Sequence, residues 1–469
     1  LNPRERSTRL KVLRGDDLSG GAVSSKLLPV VVVVVVAVAA VATYLVYTTT
    51  QRPAVRLVVA SRLSAEEADA VRAAFLASDI ARRYNIVDVE IKKLDYSLWK
   101  DLSVRGEVDV LLVGEPSIFN SLCEAGALRY IDSKGLVELA RRMPPEFVGY
   151  SRGGSICWIG IGLGVYGFIV NRDFLSRYNL PEPASWADIV NPVYARPLGE
   201  GRYVVSFPLP SKSGTARTTV MGVLQKYGWY RGWQLLTAIG ALSSFVTSSE
   251  RARDDATVGA VAVAPAYIGY GLQAERASGG RAVFVTPAGE TILYVSPIAV
   301  AAGTRYPAEA QAFVEWFLGP EGQRLVVEKF GYLPAVDVPG LEAMAGRTRE
   351  AISKAMSYDT GFESRVREAV VTYFEASISD PDVQKLLTEA YSRICRSYPG
   401  ELTKWLERLG SPLVIRDPLT GTYAEFTEDY AAQISSAIRE GRVSRDSLYQ
   451  SVKEAALARL RELLKELGS

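Results

Sequence analysis

Residues 55–83, VRLVVASRLSAEEADAVRAAFLASDIARR, run from a short β-prone stretch into a helix. Residues 55–60 carry the branched apolar side chains that suit a pleated strand. Ser64 and Glu67 follow as an S-x-x-E capping box, in which each side chain satisfies a backbone N–H that the first helical turn leaves free. The amphipathic pattern behind it predicts a helix through about residue 83. The theme recurs at residues 87–91 and 108–113, the latter leading through Gly114-Glu115-Pro116 into a helix that ends near Gly126. A second block has strand signals at 159–163, 168–170, 203–207, 258–264 and 282–285, with a long helix over about 215–227. Pro307 opens another helix with Ala310, Phe313, Val314 and Phe317 on one face. Gly319 and Pro320 stop it and start the next, which Gly331 closes. Such alternation defines an open α/β sheet. After Pro339 the strand signal nearly vanishes, so residues 339–469 are expected to form a separate, all-helical C-terminal extension, dispensable for binding. Its last helix carries an apolar stripe, Leu448, Val452, Ala456, Leu460, Leu463 and Leu467.

The chain has 469 residues, 48% hydrophobic and 23% charged, enough for two or three cores. Lys+Arg 54 against Asp+Glu 52 gives a net charge of +2, too small to hold a nucleic-acid backbone by its field. Histidine is absent, which removes imidazole bases, Ser-His-Asp and Cys-His machinery and His-ligated zinc. With no clustered acid pair either, an enzyme is not expected. Cys123, Cys157 and Cys395 form no C-x-x-C pair; an odd count leaves at most one bridge, and the spacing does not choose it.

Residues 27–47 contain no charge, and residues 30–36 are unbroken valine, so this segment reaches the ~20 residues of a membrane-spanning helix. Arg4, Arg6, Arg9, Lys11, Arg14 and Lys26 precede it and place residues 1–26 in the cytoplasm. The expectation is a retained signal anchor over 27–47 and a stalk over 48–53, with the bulk of the chain extracytoplasmic in the cell membrane. The rival is cleavage near Ala40-Val41-Ala42, although secretory apolar cores usually run only ~7–15 residues.

Three motifs carry candidate chemistry. Gly162-x-Gly164-x-x-Gly167 matches a dinucleotide fingerprint in letters only: Gly167 leads into Phe168-Ile169-Val170, a strand where a phosphate-binding helix would have to start, so a glycine-rich turn or strand crossing is expected. Ser211-Lys212-Ser213-Gly214-Thr215 precedes a helix, where exposed amides and hydroxyls make an anion seat, with Ser213 as helix cap the plainer reading. Tyr267 and Tyr270 follow a strand, as ligand-facing loops do in open α/β sheets. They are read either as phenolate ligands of a hard metal or as aromatic walls and core. Glu115 has the same placement after its strand.

From about residue 56 to 334 the order of features resembles the extracellular solute-binding proteins of ABC importers, in the branch of ferric-iron-binding and related anion-binding proteins. The resemblance rests on Asp109-Val110-Leu111-Leu112 with Glu115 and Glu124-Ala125-Gly126-Ala127-Leu128, and on Tyr166-Gly167-Phe168-Ile169-Val170-Asn171. It continues in Pro183-Ala184-Ser185-Trp186-Ala187-Asp188-Ile189, Lys226-Tyr227-Gly228-Trp229, Ala308 to Val314 and Pro320-Glu321-Gly322-Gln323. It implies a two-lobed type II periplasmic-binding fold, with residues 54–163 and 290–338 in lobe one, 164–289 in lobe two and a ligand cleft between them. By the same analogy Ser61, Arg62, Glu115, Tyr166, Ser211, Ser213, Gly214, Thr215, Tyr267 and Tyr270 converge there, with Glu115, Tyr267 and Tyr270 as a metal set. The implied cargo is ferric iron with a synergistic anion, or a carboxylate- or phosphate-containing solute, and the implied partner is a membrane permease. No resident cofactor is expected. Arg62, where relatives often carry histidine, and the Ile268-Gly269 spacer between the tyrosines depart from the iron pattern.

Overall fold

Strand β1 (Val55–Ser61) turns into helix α1 (Ala65–Ala77) through the expected capping box: Ser64 Oγ accepts from the Glu67 N–H, and the Glu67 carboxylate accepts from the Ser64 N–H. The computed structural model describes residues 53–468. The cytoplasmic tail and membrane anchor expected at 1–47 lie outside them, and among the described residues no helix is long and apolar enough to cross a membrane. α1 stops short of residue 83 because Ser78, in extended conformation, ends it and caps a second short helix, Asp79–Arg83.

The chain continues through β2 (Ile86–Lys93), β3 (Val110–Leu112), α2 (Pro116–Glu124), β4 (Ile156–Asn171) and β5 (Val205–Pro208). Next come α3 (Gly214–Tyr227), α4 (Trp229–Ala241), β6 (Ser243–Val246), β7 (Val263–Tyr267) and β8 (Ile292–Ala301). These eight strands form one sheet in the order β2-β1-β3-β8-β4-β7-β5-β6, with short strands added at its sides. The outer trios, β2-β1-β3 and β7-β5-β6, are parallel. The antiparallel β8 and β4 run between them: β8 pairs with β3 at one end and β4 along its length, while the far end of β4 pairs with β7. The two halves are thus joined by two crossing strands. The separate strand signals at 159–163 and 168–170 are one continuous strand. Its glycines admit close neighbours: a side chain at Gly162 would meet Val326 at 2.6 Å, and one at Gly167 would strike the Val285 carbonyl. The signal at 258–264 begins as strand only at Val263, because the helix Ser249–Thr257 and the Gly259 turn take its first residues.

Among the described residues the two larger of three apolar cores lie either side of the crossing strands. One gathers β1, β3, α1 and the first part of β4, with Phe75 edge-on to Phe313 and Trp316. The other gathers β5, α3 and α4, and it does not end with the α/β body. Helices α5 (Thr360–Phe374), α6 (Pro381–Ser397) and α7 (Arg445–Glu466) contribute to it as fully as lobe two does. Tyr373 and Phe426 stack with ring centroids 3.9 Å apart, Trp233 of α4 lies 4.5 Å from Tyr373, and Trp229 Nε1 donates to the Phe426 carbonyl at 2.7 Å. Leu448, Val452, Ala456, Leu460 and Leu463 are the buried face of α7 in this same core. Each such large apolar side chain contributes about 1.5–3 kcal/mol on full burial. The expected separate, all-helical extension is therefore corrected twice. It shares its core with lobe two, and it contains an antiparallel hairpin, Val414–Arg416 with Tyr423–Glu425.

Cys123 of α2 and Cys157 of β4 form a disulfide, Cα–Cα 5.9 Å, and Cys395 is a buried free thiol. Bridges of this kind are commonest in proteins of oxidising compartments.

Candidate functional site

Where β3 ends, Val113 adopts φ +58°, a left-handed conformation that costs a β-branched residue about 1–3 kcal/mol. It is held there in the core, with its N–H donating to the Pro297 carbonyl of β8 at 2.9 Å. The turn delivers Glu115 to the start of α2, half-buried and with no side-chain capping bond, so its carboxylate stays available. Across the gap, Ser213 caps α3: its Oγ accepts from the Ala216 N–H at 3.0 Å and shares a hydrogen bond with Ser249 Oγ at 2.6 Å. That leaves Gly214 exposed at the first turn, with Arg217 beside it; a side-chain carbon on Gly214 would sit 3.8 Å from an Arg217 Nη.

Between these two ends lies a cleft of about 660 Å³, within the size range of small-molecule sites. Lobe one supplies Glu115, Pro116, Ser117 and Glu146, and α3 supplies Gly214, Arg217 and Thr218. The floor is the crossing strands, with Tyr166, Ile292 and Tyr294. In register, Tyr166 faces Ile292 on one side and Tyr267 on the other, so these tyrosines and Tyr294 share one face of the sheet. Rings of Tyr166 and Tyr294 meet edge-on at 6.5 Å. The last wall was not anticipated. Ala355 forms a β-bridge with Thr291, and Met356 N–H donates to the Thr291 carbonyl at 2.9 Å, which brings Met356, Tyr358, Thr360 and Glu363 into the cleft. The region expected to be dispensable for binding thus forms one wall of this cleft.

Of the ten expected site residues, Glu115, Tyr166 and Gly214 line this cleft. Ser213 and Thr215 are buried, Ser213 as a cap, and the Ser211 N–H donates to Glu375 Oε1 at 2.8 Å. Ser61 is buried, accepting from the Leu63 N–H, while Arg62 donates to the Leu94 carbonyl and lies 5.1 Å over the Tyr96 ring. Tyr267 and Tyr270 do approach each other, 4.4 Å between rings, but Tyr270 donates its hydroxyl to Glu250 under the Arg253 guanidinium, and Tyr267 packs near Tyr332. The tyrosine pair stays together, with Tyr267 opposite Tyr166 on the same sheet face, and neither ring is among the residues that line this cleft with Glu115. Burial pushes the Tyr166 and Tyr267 phenols up to about 12, so both are neutral hydroxyls at ordinary pH. Among the described residues no group of three His, Cys, Asp or Glu is placed to hold a metal.

The residues sequence reasoning missed are Arg217, Tyr294, Tyr358 and Glu363. Arg217 was within reach, three residues beyond Gly214 on the same helical turn. Tyr358 and Glu363 had no local signal. A wider, more open depression of about 1000 Å³ adjoins the cleft beside the disulfide, lined by Tyr130, Tyr150 and Trp158 and sharing Pro116 and Glu146 with it.

Two α/β lobes, two crossing strands and a polar cleft over the crossing define a ligand-capturing protein of the periplasmic-binding type. The chain belongs to the bacterial extracellular solute-binding proteins, whose family model matches residues 108–354. Its fold is shared with a protein of Bordetella parapertussis, at TM-score 0.54 and 20% identity over 69% of this chain and 98% of that one. An ABC transporter from Clostridium perfringens matches at TM-score 0.52 and 16% identity, covering 69% and 99%. Among curated proteins it is 28% identical over 232 residues to the phosphoglycerate transport regulatory protein PgtC of Salmonella typhimurium, covering 49% of this chain and 53% of that protein. The chain spans about half the length of these curated relatives.

Proposed function

We propose that this protein captures a small solute bearing a carboxylate or phosphate group and presents it to an ABC importer permease, the bulk of the chain being held outside the membrane by residues 27–47. The observation that carries the reading is Gly214 and Arg217 on the first turn of α3, opening into an interlobe cleft. Helix-terminal amides and a guanidinium favour an anionic group there. Glu115 on the opposite wall is an acceptor, suited to hydroxyl groups on the same solute. A short hydroxylated acid offers the matching chemistry for both walls, and the name of the Salmonella relative supports phosphoglycerate as the first probe. Ligand contacts on both lobes would stabilise the closed hinge that a permease recognises.

Calorimetric titration with 3-phosphoglycerate tests this. Binding should weaken at least about tenfold in Arg217→Gln, the loss expected for a charge-assisted contact. Equal affinity in wild type and variant would sink the assignment of the anionic end. Ferric iron shared with an anion is the alternative cargo, with Glu115 as its carboxylate. The Tyr270 hydroxyl, committed to Glu250, and the absence of Tyr267 and Tyr270 from the residues lining the cleft with Glu115 weigh against it. Fe(III) added with carbonate or phosphate should give neither a visible charge-transfer band nor a thermal shift. A second reading, a membrane-tethered sensor using the same cleft, draws on the regulatory name of the Salmonella relative. Normal solute uptake in cells lacking this chain would favour the sensor.

A further inference from the structure

The cleft already contains a carboxylate facing Arg217. Glu363 Oε1 lies 3.5 Å from Arg217 Nε and 3.4 Å from an Nη of Arg367, and Glu363 Oε2 accepts from the Tyr358 hydroxyl at 2.8 Å. Its side chain is only 13% exposed. The segment that carries it is tied down before and after the cleft: the Gly289 N–H donates to the Lys354 carbonyl at 2.8 Å, and Gln225 exchanges two hydrogen bonds with the Asp359 backbone. Glu363 is therefore a fixture of the site. Its hold on the arginines is electrostatic more than hydrogen-bonded: the buried Nε atoms of Arg217 and Arg367 make no close hydrogen bond among the described residues, and the Arg217 Nε faces Glu363 Oε1 only at 3.5 Å.

We propose that Glu363 is a resident carboxylate that occupies the anionic subsite of the empty protein and sets which solutes can enter, an inference that rests on the anion-binding reading of Arg217. Arg217 is the one cation among the residues that line the cleft, beside the carboxylates Glu115, Glu146 and Glu363, and Glu363 already pairs with it, so an incoming anion has to compete with Glu363 for this guanidinium. A monoanion offering a single contact has to share Arg217 with Glu363 and gains little. A solute that also bonds across the cleft, to Glu115 or the floor tyrosines, can take the same position against the repulsion of Glu363. The C-terminal helices then act as a selectivity element packed onto lobe two through their shared core, and they do so through one side chain on the first turn of α5.

The test uses the whole chain, purified in mild detergent, titrated with 3-phosphoglycerate and separately with inorganic phosphate. In Glu363→Gln both probes should bind about tenfold or more tightly than in wild type, as removal of a like charge a few ångströms away requires. Phosphate should gain more than 3-phosphoglycerate, so discrimination between them narrows. A purely structural Glu363 would move the readout the other way, with weaker binding and a lower unfolding temperature. If Glu363→Gln does not fold, Glu363→Gln/Arg367→Gln removes the cation with the anion and carries the same expectation for discrimination. Unchanged or weaker binding in these variants, with Arg217→Gln still damaging, overturns the resident carboxylate and leaves the capture function standing. No binding of either probe by wild type or any variant overturns both.

Discussion

The tyrosines on the sheet face at the crossing owe their state to burial more than to neighbouring charge. For Tyr166 and Tyr267 desolvation is the leading cause of a phenol pushed up to about 12 from an ordinary 10. A raised folded-state value means the native protein holds these protons more tightly than the unfolded chain, so the stability they contribute is fully present below about pH 10 and is lost as pH rises toward 12. Unfolding temperature should therefore be flat in this respect up to about pH 10 and fall between 10 and 12, with part of the fall abolished in Tyr166→Phe. A fall that is identical in the variant would mean Tyr166 already ionises as a solvated phenol does. The strained Val113 works on the same scale. Its φ of +58° is what turns the chain out of β3 toward Glu115, and no residue type in Val-Gly-Glu-Pro announces that conformation. Sequence could locate Glu115 after a strand, and it could not say that Arg62, one strand over, would turn back onto Tyr96. The choice depends on a partner 34 residues away in sequence.

Elements were legible where local chemistry decides them and obscure where tertiary contacts do. The Ser64/Glu67 box, the Ser213 cap and the Pro307 start are local, and each appears where expected. The hairpin Val414–Arg416 with Tyr423–Glu425 has strands of only three residues, too short for a period-two pattern to register. The disulfide was likewise beyond spacing, since Cys123 and Cys157 meet only because α2 packs beside the long crossing strand. Closing a loop of sequence separation 34, it should stabilise the native chain by about 3–4 kcal/mol through the unfolded state. It also fixes the end of α2 opposite to Glu115. Cys123→Ser/Cys157→Ser should lower the unfolding temperature and weaken 3-phosphoglycerate binding. Chemical denaturation of oxidised and variant protein measures the first, titration the second. A variant as stable as the parent would show that the bridge only decorates a helix already held by packing, such as Trp158 Nε1 on Asn120 at 2.8 Å.

Across the whole molecule, the α/β order read from alternation holds, and the division after Pro339 does not. The sequence there changes period from mixed to helical, and a change of period is easily taken for a change of domain. What it cannot display is which surface the helices cover. Trp229, Trp233, Leu235 and Leu236 of α4 are buried in the core of lobe two, and the stacking of Tyr373 and Phe426 onto them shows that this lobe is incomplete without the C-terminal helices. Two consequences can be separated. If residues 360–468 are removed, the apolar face of α4 is exposed, and at about 1.5–3 kcal/mol per large side chain the loss exceeds the 5–15 kcal/mol by which a typical domain is stable. The truncated chain should then lack a cooperative thermal transition in lobe two and bind a hydrophobic dye, while the lobe-one core, made of different residues, keeps its own. Cleft binding should vanish with it, because Thr360 and Glu363 go and the segment carrying Met356 and Tyr358 loses its downstream anchor. Calorimetry of the truncated and whole chains decides the matter. A sharp lobe-two transition with 3-phosphoglycerate affinity retained would mean that the helices are an appended module after all, and that the shared core contributes little to holding the lobe together.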